Sequence, residues 1–226
     1  MSQNTLNPLS KSQDAVVAPS RRIVELPMRL FHTFLALSFA GAYVTSESER
    51  FRIVHVSLGY TLVGLIVFRV LWGLIGPRQS RLSAIWRKFQ GIQDFKDDFK
   101  TFPASLLQWN GQTLRKLASV VLSAAALLTF GVSFFIAATG YAVYNEMTGD
   151  WMAEVHEFFG NSFLILVLVH VAVVALLVVG KKSQGLRPMW SGRREGLGPD
   201  VAKTNHLVVG WMLALGVLAF LVFQLA

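Results

Sequence analysis

Two histidines, His156 and His170, bracket an almost wholly apolar stretch from Glu154 to Gly180, and this stretch constrains the fold most tightly. A run so long and so apolar reads as a membrane-spanning helix. The fourteen-residue separation of the two histidines is about 3.9 helical turns, so both rings leave nearly the same face roughly 21 Å apart along the axis. That is the separation of two sites. An ionisable residue inside an apolar span is costly, and neutral imidazole is a common metal ligand, so each histidine is expected to meet a partner from another helix.

The rest of the chain agrees with a membrane setting: 53% of it is hydrophobic and only 15% charged, whereas soluble domains carry roughly a quarter charged residues. Five spans are expected: Met28 to Val44, begun by Pro27; Ile53 to Ile75, ended by Gly76-Pro77; Leu117 to Gly140; the span with His156 and His170; and His206 to Leu225. The fold class is therefore an all-α integral membrane helical bundle. Residues 1–22 are polar and lack apolar periodicity, so they read as a disordered tail without the pattern of a secretory signal. Cysteine is absent, which removes disulfides and thiolate-held metal sites from this chain.

The net charge of +8 would suit nucleic acid, but its distribution gives it another meaning. Arg21, Arg22 and Arg29, a connection over 78–116 with eight Lys or Arg, and a segment over 181–203 with six all fall on one side of the expected spans. The opposite loops, 45–52 and 141–157, are acidic or mixed, and Glu146, Asp150, Glu154 and Glu157 stand in the second without any base. By the positive-inside rule the basic side, with the N-terminus, is cytoplasmic. Topology accounts for the charge, and no nucleic-acid partner is expected. Trp86, Phe89, Phe95, Phe99 and Phe102 within the basic connection suit an amphipathic surface helix. Tyr43, Trp72, Trp151 and Trp190 read as an interfacial aromatic belt, and His206 as an interfacial residue.

Orientation sets the depth of each histidine. His55 and His156 fall near the outer face, while His32 and His170 fall toward the cytoplasm. The depths match in pairs, giving two bis-histidine sites stacked across the membrane. Haem iron takes axial protein ligands on both faces of its ring, and facing helices commonly build cofactor sites. Gly59, four residues after His55, and Gly64 leave room for a flat ring. Arg69, fourteen residues after His55, falls at the depth of the cytoplasmic pair, where it suits a propionate; Arg52 is the corresponding residue at the outer face.

The stretch HVSLGYTLVGLIVFRVLWGLIGPR (His55 to Arg78), preceded by ELPMRLFHTFLALSFAGAYVT (Glu25 to Thr45), resembles the bacterial dihaem b-type cytochromes: the cytochrome b-561 group and the cytochrome b subunits of membrane-bound nickel–iron hydrogenases. The resemblance runs on through HEFFGNSFLILVLVH to RPMWSGRR and covers roughly residues 23–195. It implies two haem b groups with axial ligands from the first, second and fourth helices, matching His32, His55, His156 and His170. It also implies electron exchange between the quinone pool and a redox partner, a hydrogenase-type enzyme or a cytochrome c, in the bacterial cytoplasmic (inner) membrane. Two departures stand out: LQWNGQTLRKLA replaces a His-Asn-Pro element before the third helix, and the span carrying His206 lies beyond the usual four-helix core.

The expected organisation is thus a tail over 1–22, a dihaem membrane domain over 23–195, and a linker with an additional transmembrane helix over 196–226. The small residues of the third span suit close helix packing, with a homodimer as one use for it. Two other readings use the same residues: a haem-free transporter with a His and Arg relay, and a haem-free anchor subunit. No paired broken helices or inverted repeat accompany the first, and a metal permease needs ligands at one depth.

Overall fold

The computed structural model describes residues 19–81, 83, 111–179 and 187–226. The tail as far as residue 18 and the amphipathic helix expected over Trp86 to Phe102 lie outside the described residues. The element order is β1 (Ser20–Arg22), α1 (Leu26–Thr45), a 3₁₀ turn (Glu49–Phe51), α2 (Arg52–Ile75), α3 (Gly111–Tyr144), α4 (Trp151–Val179), α5 (Arg187–Ser191), β2 (Arg193–Glu195) and α6 (Leu207–Leu225). Among the described residues, four helices are long and apolar enough to cross a membrane: Glu49–Ile75, Leu117–Tyr144, Trp151–Val179 and Leu207–Leu225. The last is the expected C-terminal span. With 20 residues, α1 has the length to cross a hydrocarbon core, but Pro27, Arg29 and His32 dilute its first turns, and it is not one of the four.

Helices α1 and α2 form one antiparallel pair and α3 and α4 a second, joined along α2 and α3, while α6 lies on α1 and α2. Pro27 starts α1 where a missing N–H costs nothing. Gly76 caps α2 in an extended conformation ahead of Pro77, and the position takes a glycine because a Cβ there would overlap the Trp72 carbonyl. The α1–α2 contact is close at Gly41, where a Cβ would fall 2.7 Å from Leu58, and α6 approaches Leu26 at Gly210 in the same way, at 2.8 Å. Ser57 and Thr61, buried in α2, return their hydroxyl protons to the carbonyls of Ile53 and Ser57, so their burial leaves no donor unmet. The apolar core joins Phe31 of α1, Leu65 of α2 and Val217 of α6, with Phe68 and Phe130 against it. The C-terminal helix is therefore part of the core. Leu37, Val44, Leu74, Ile165, Leu176 and Phe223 face outward, as side chains solvated by hydrocarbon do. Helix α4 packs closely on α3 but stands off from α1 and α2.

The end of the bundle that holds the start of α1 is basic. There β1 pairs antiparallel with β2, Ser20 opposite Glu195, Arg21 opposite Arg194 and Arg22 opposite Arg193. Ser20–Arg22, expected at the end of the tail, form a strand because they find a partner in Arg193–Glu195. Arginines facing one another are unfavourable, and polar contacts offset this: Arg193 donates to the hydroxyl (3.0 Å) and carbonyl (2.8 Å) of Ser20, Arg187 pairs with Glu195, and the Arg22 N–H donates to Asp200 at 2.6 Å.

Beneath this ribbon lies a buried polar cluster. Glu25 is 0% exposed. Its Oε1 accepts from the Trp72 indole N–H at 3.0 Å and from the Ser80 hydroxyl, and its Oε2 lies 3.5 Å from Nε2 of His206. Trp72, expected in the interfacial belt, is instead 8% exposed, because its N–H finds an internal acceptor. His206, also expected at the interface, packs edge-on against Trp72 at 5.2 Å. Trp151 and Trp190 remain exposed, at 59% and 89%.

Candidate functional site

The gap between α4 and the α1–α2 pair is bridged by imidazoles at two levels. His55, in the first turn of α2, faces His156, in the second turn of α4, with ring centroids 6.2 Å apart and planes at 83°. His32 of α1 faces His170, far along α4, at the same 6.2 Å but with planes at 41°. Two imidazoles that bind one metal ion from opposite sides, through bonds of about 2.0–2.1 Å and with each nitrogen about 1.1 Å from its ring centre, have centroids roughly 6.3 Å apart. Both pairs fit that distance. Among the described residues no cluster of three or more His, Asp or Glu is poised for a metal. Each level therefore offers two donors, which suits an ion whose remaining positions are filled by a planar macrocycle better than a protein-closed tetrahedral site.

The His55–His156 pair, at the acidic end, opens into a cavity of about 460 Å³. Gly59 follows His55 by four residues and Gly160 follows His156 by four, so each lies one turn on along the face that carries the histidine. Both line the cavity, and a Cβ on either would meet nothing within 4 Å. Gly140 of α3 is different. A Cβ there would lie 2.8 Å from Cε1 of His156, so the ring takes the place a side chain would fill. Both Nδ1 atoms are engaged: that of His55 with the Ala42 carbonyl at 2.8 Å, that of His156 with the Thr139 hydroxyl at 3.1 Å. Among the described residues neither Nε2 has a hydrogen-bond partner, so each is left for a further ligand. Arg52 lines the cavity mouth with Glu47 and Glu157. Phe39 packs on Phe163 with ring centroids 4.5 Å apart and planes tilted by 38°, midway along α4 between the two histidine levels, and Tyr43 donates to Asn161 at 3.2 Å.

At the basic end, no hydrogen bond to His32 or His170 is present among the described residues. Arg69 is 6% exposed; its NH1 donates to the Ser80 carbonyl at 3.0 Å and its guanidinium lies 6.0 Å from the Phe130 ring centre. One nitrogen is thus spent on the loop after α2, and the other donors remain for a second acceptor. Gly64, expected beside the ring site, faces the other way and lines a groove against Met212, Gly216 and Phe220 of α6. Sequence reasoning passed over Thr139, Gly140 and Gly160. Gly160 repeats the four-residue spacing of Gly59 and carried a usable signal, whereas Thr139 and Gly140 acquire their meaning only from the register of α3 on α4.

A family model described as prokaryotic cytochrome b561 matches residues 23–192, a segment that contains all four paired histidines and stops short of α6. No curated protein and no solved structure matches the chain.

Proposed function

The chain belongs to the prokaryotic cytochrome b561 family, and from that membership we propose that its histidine pairs, His55 with His156 and His32 with His170, are the axial ligands of two haem b groups in a relay between membrane quinone and a redox partner. It is a multi-pass bacterial membrane protein and an electron-transferring b-type cytochrome. The observation that carries the dihaem reading is the equal 6.2 Å spacing of two imidazole pairs at two levels of one bundle.

Haem b, when bound, would supply a one-electron iron couple. The chain does the rest. Four imidazoles leave neither iron an open position, which favours low-spin relays over chemistry on oxygen or substrate. Gly59 and Gly160 leave the macrocycle its room, and Arg69 and Arg52 are the cations for its propionates at the basic and acidic ends. The apolar helices exclude water and hold the ligands in place. The basic end faces the cytoplasm across the inner membrane, α1 crosses as a fifth span beside α2, and the acidic loop around Glu146 and Asp150 offers a periplasmic partner its docking face.

Pyridine haemochrome quantification on the detergent-purified chain is expected to give about two b-type haems per polypeptide, low-spin in both oxidation states. One haem would mean a misassigned pair, and none would return the histidines to the transporter or anchor readings. Gly140→Val is expected to lower occupancy at the acidic-end site at least two-fold, since its side chain competes with the His156 ring for the same space, while leaving the other haem in place. Full occupancy of both sites in that variant would refute the role given to Gly140.

A further inference from the structure

The two ligand pairs share one spacing but not one environment. Thr139 lies one residue before Gly140, on the turn of α3 against which the His156 ring rests. Its hydroxyl proton is already committed, since Oγ1 lies 2.7 Å from the Phe135 carbonyl and 3.2 Å from that of Ile136, and carbonyls only accept. The remaining contact of Oγ1, with Nδ1 of His156 at 3.1 Å, therefore has the imidazole as donor. His55 is held the same way, its Nδ1–H on the Ala42 carbonyl. His32 and His170 have no such acceptor among the described residues.

We infer that Thr139 is a positioning residue for the acidic-end haem: its oxygen holds the Nδ1 proton of His156, turns the Nε2 lone pair toward His55, and makes this ligand pair the more electron-donating of the two. The inference rests on the bis-histidine reading above. An imidazole whose N–H is bonded to an acceptor is a stronger base at its other nitrogen, and stronger axial donation stabilises ferric over ferrous iron. Removing the acceptor therefore raises the midpoint potential of that haem alone. Valine has nearly the volume of threonine and leaves both histidines in place, so the expected change is a shift in potential with the haem retained.

The test is a redox titration of purified wild type, Thr139→Val and Thr139→Ser, with haem content measured on each and low-temperature EPR of the oxidised proteins. The ring-plane angles of 83° and 41° make the two ferric signals distinguishable, and a His156→Leu variant assigns them. The expected result is two haems in Thr139→Val, an upward shift of the acidic-end midpoint with a changed EPR signal for that haem, an unmoved second haem, and restoration by Thr139→Ser. Two haems with both midpoints unmoved would overturn the inference and leave the dihaem reading standing. Should Thr139→Val lose the acidic-end haem, Thr139→Ser decides: wild-type midpoints there support the hydroxyl's role, and loss there makes Thr139 a packing residue and overturns it. Haem-free wild-type protein would overturn both readings together.

Discussion

Replacing His170 by Leu is expected to halve the haem content of the purified protein, from about two groups per chain to about one, and His156→Leu is expected to halve it from the other end. The expectation rests on two facts about α4. It contributes one ring to each pair, and the fourteen residues between the rings put them roughly 21 Å apart along the axis. The pairs share no ligand, so losing one site should leave the other intact. Each variant retains a lone imidazole at the damaged level, His32 or His55, which offers iron half its axial donors. Pyridine haemochrome quantification gives the stoichiometry, and EPR shows which of the two signals has vanished. The double variant should be haem-free. Retention of both haems in His170→Leu would sink the ligand assignment at the basic end.

The second large effect concerns stability. Glu25→Ala removes the acceptor of the Trp72 N–H and the Ser80 hydroxyl from a position with 0% exposure, and leaves His206 facing a void. A buried donor left without its acceptor costs about 1–3 kcal/mol, so for these two a destabilisation of roughly 2–6 kcal/mol is expected. Glu25→Gln keeps an acceptor of nearly the same shape and should lose less than half as much. Thermal unfolding in detergent followed by tryptophan fluorescence reads both, since Trp72 is itself in the cluster. An alanine variant as stable as the wild type would show that the cluster contributes nothing to stability.

What could be read from the sequence followed from depth and spacing. The fourteen-residue interval in α4 and the asymmetry of Lys and Arg among the loops sufficed to match His55 with His156 and His32 with His170, the partners that the fold brings face to face. That Gly59 shares the face of His55, where it lines the cavity, was legible because the four-residue step is intrahelical. Residues whose role is set across helices were not. Trp72 near the end of a span looks the same whether its indole meets lipid headgroups or a buried carboxylate, and only the approach of Glu25 decides which. Gly64 turned out to face α6, since a helix with neighbours on two sides gives no sign in its own sequence of which glycine serves which neighbour. Thr139 and Gly140 read as small residues for packing until the register of α3 on α4 set the His156 ring over them.

The short ribbon at the basic end bears on how the protein is made. Arg193 and its partner Ser20 are 173 residues apart in the chain, and at about 5–20 residues per second a ribosome needs roughly 9–35 s to cover that distance. During this interval α1, α2, α3 and α4 are all synthesised while Ser20–Arg22 lacks its strand partner. The ribbon can close only once every helix that carries one of the four paired histidines exists, and the Glu25 cluster later still, when His206 arrives. The basic end is thus assembled late: until residues 193–195 have been made, Ser20–Arg22 presents an arginine-rich edge without its strand partner.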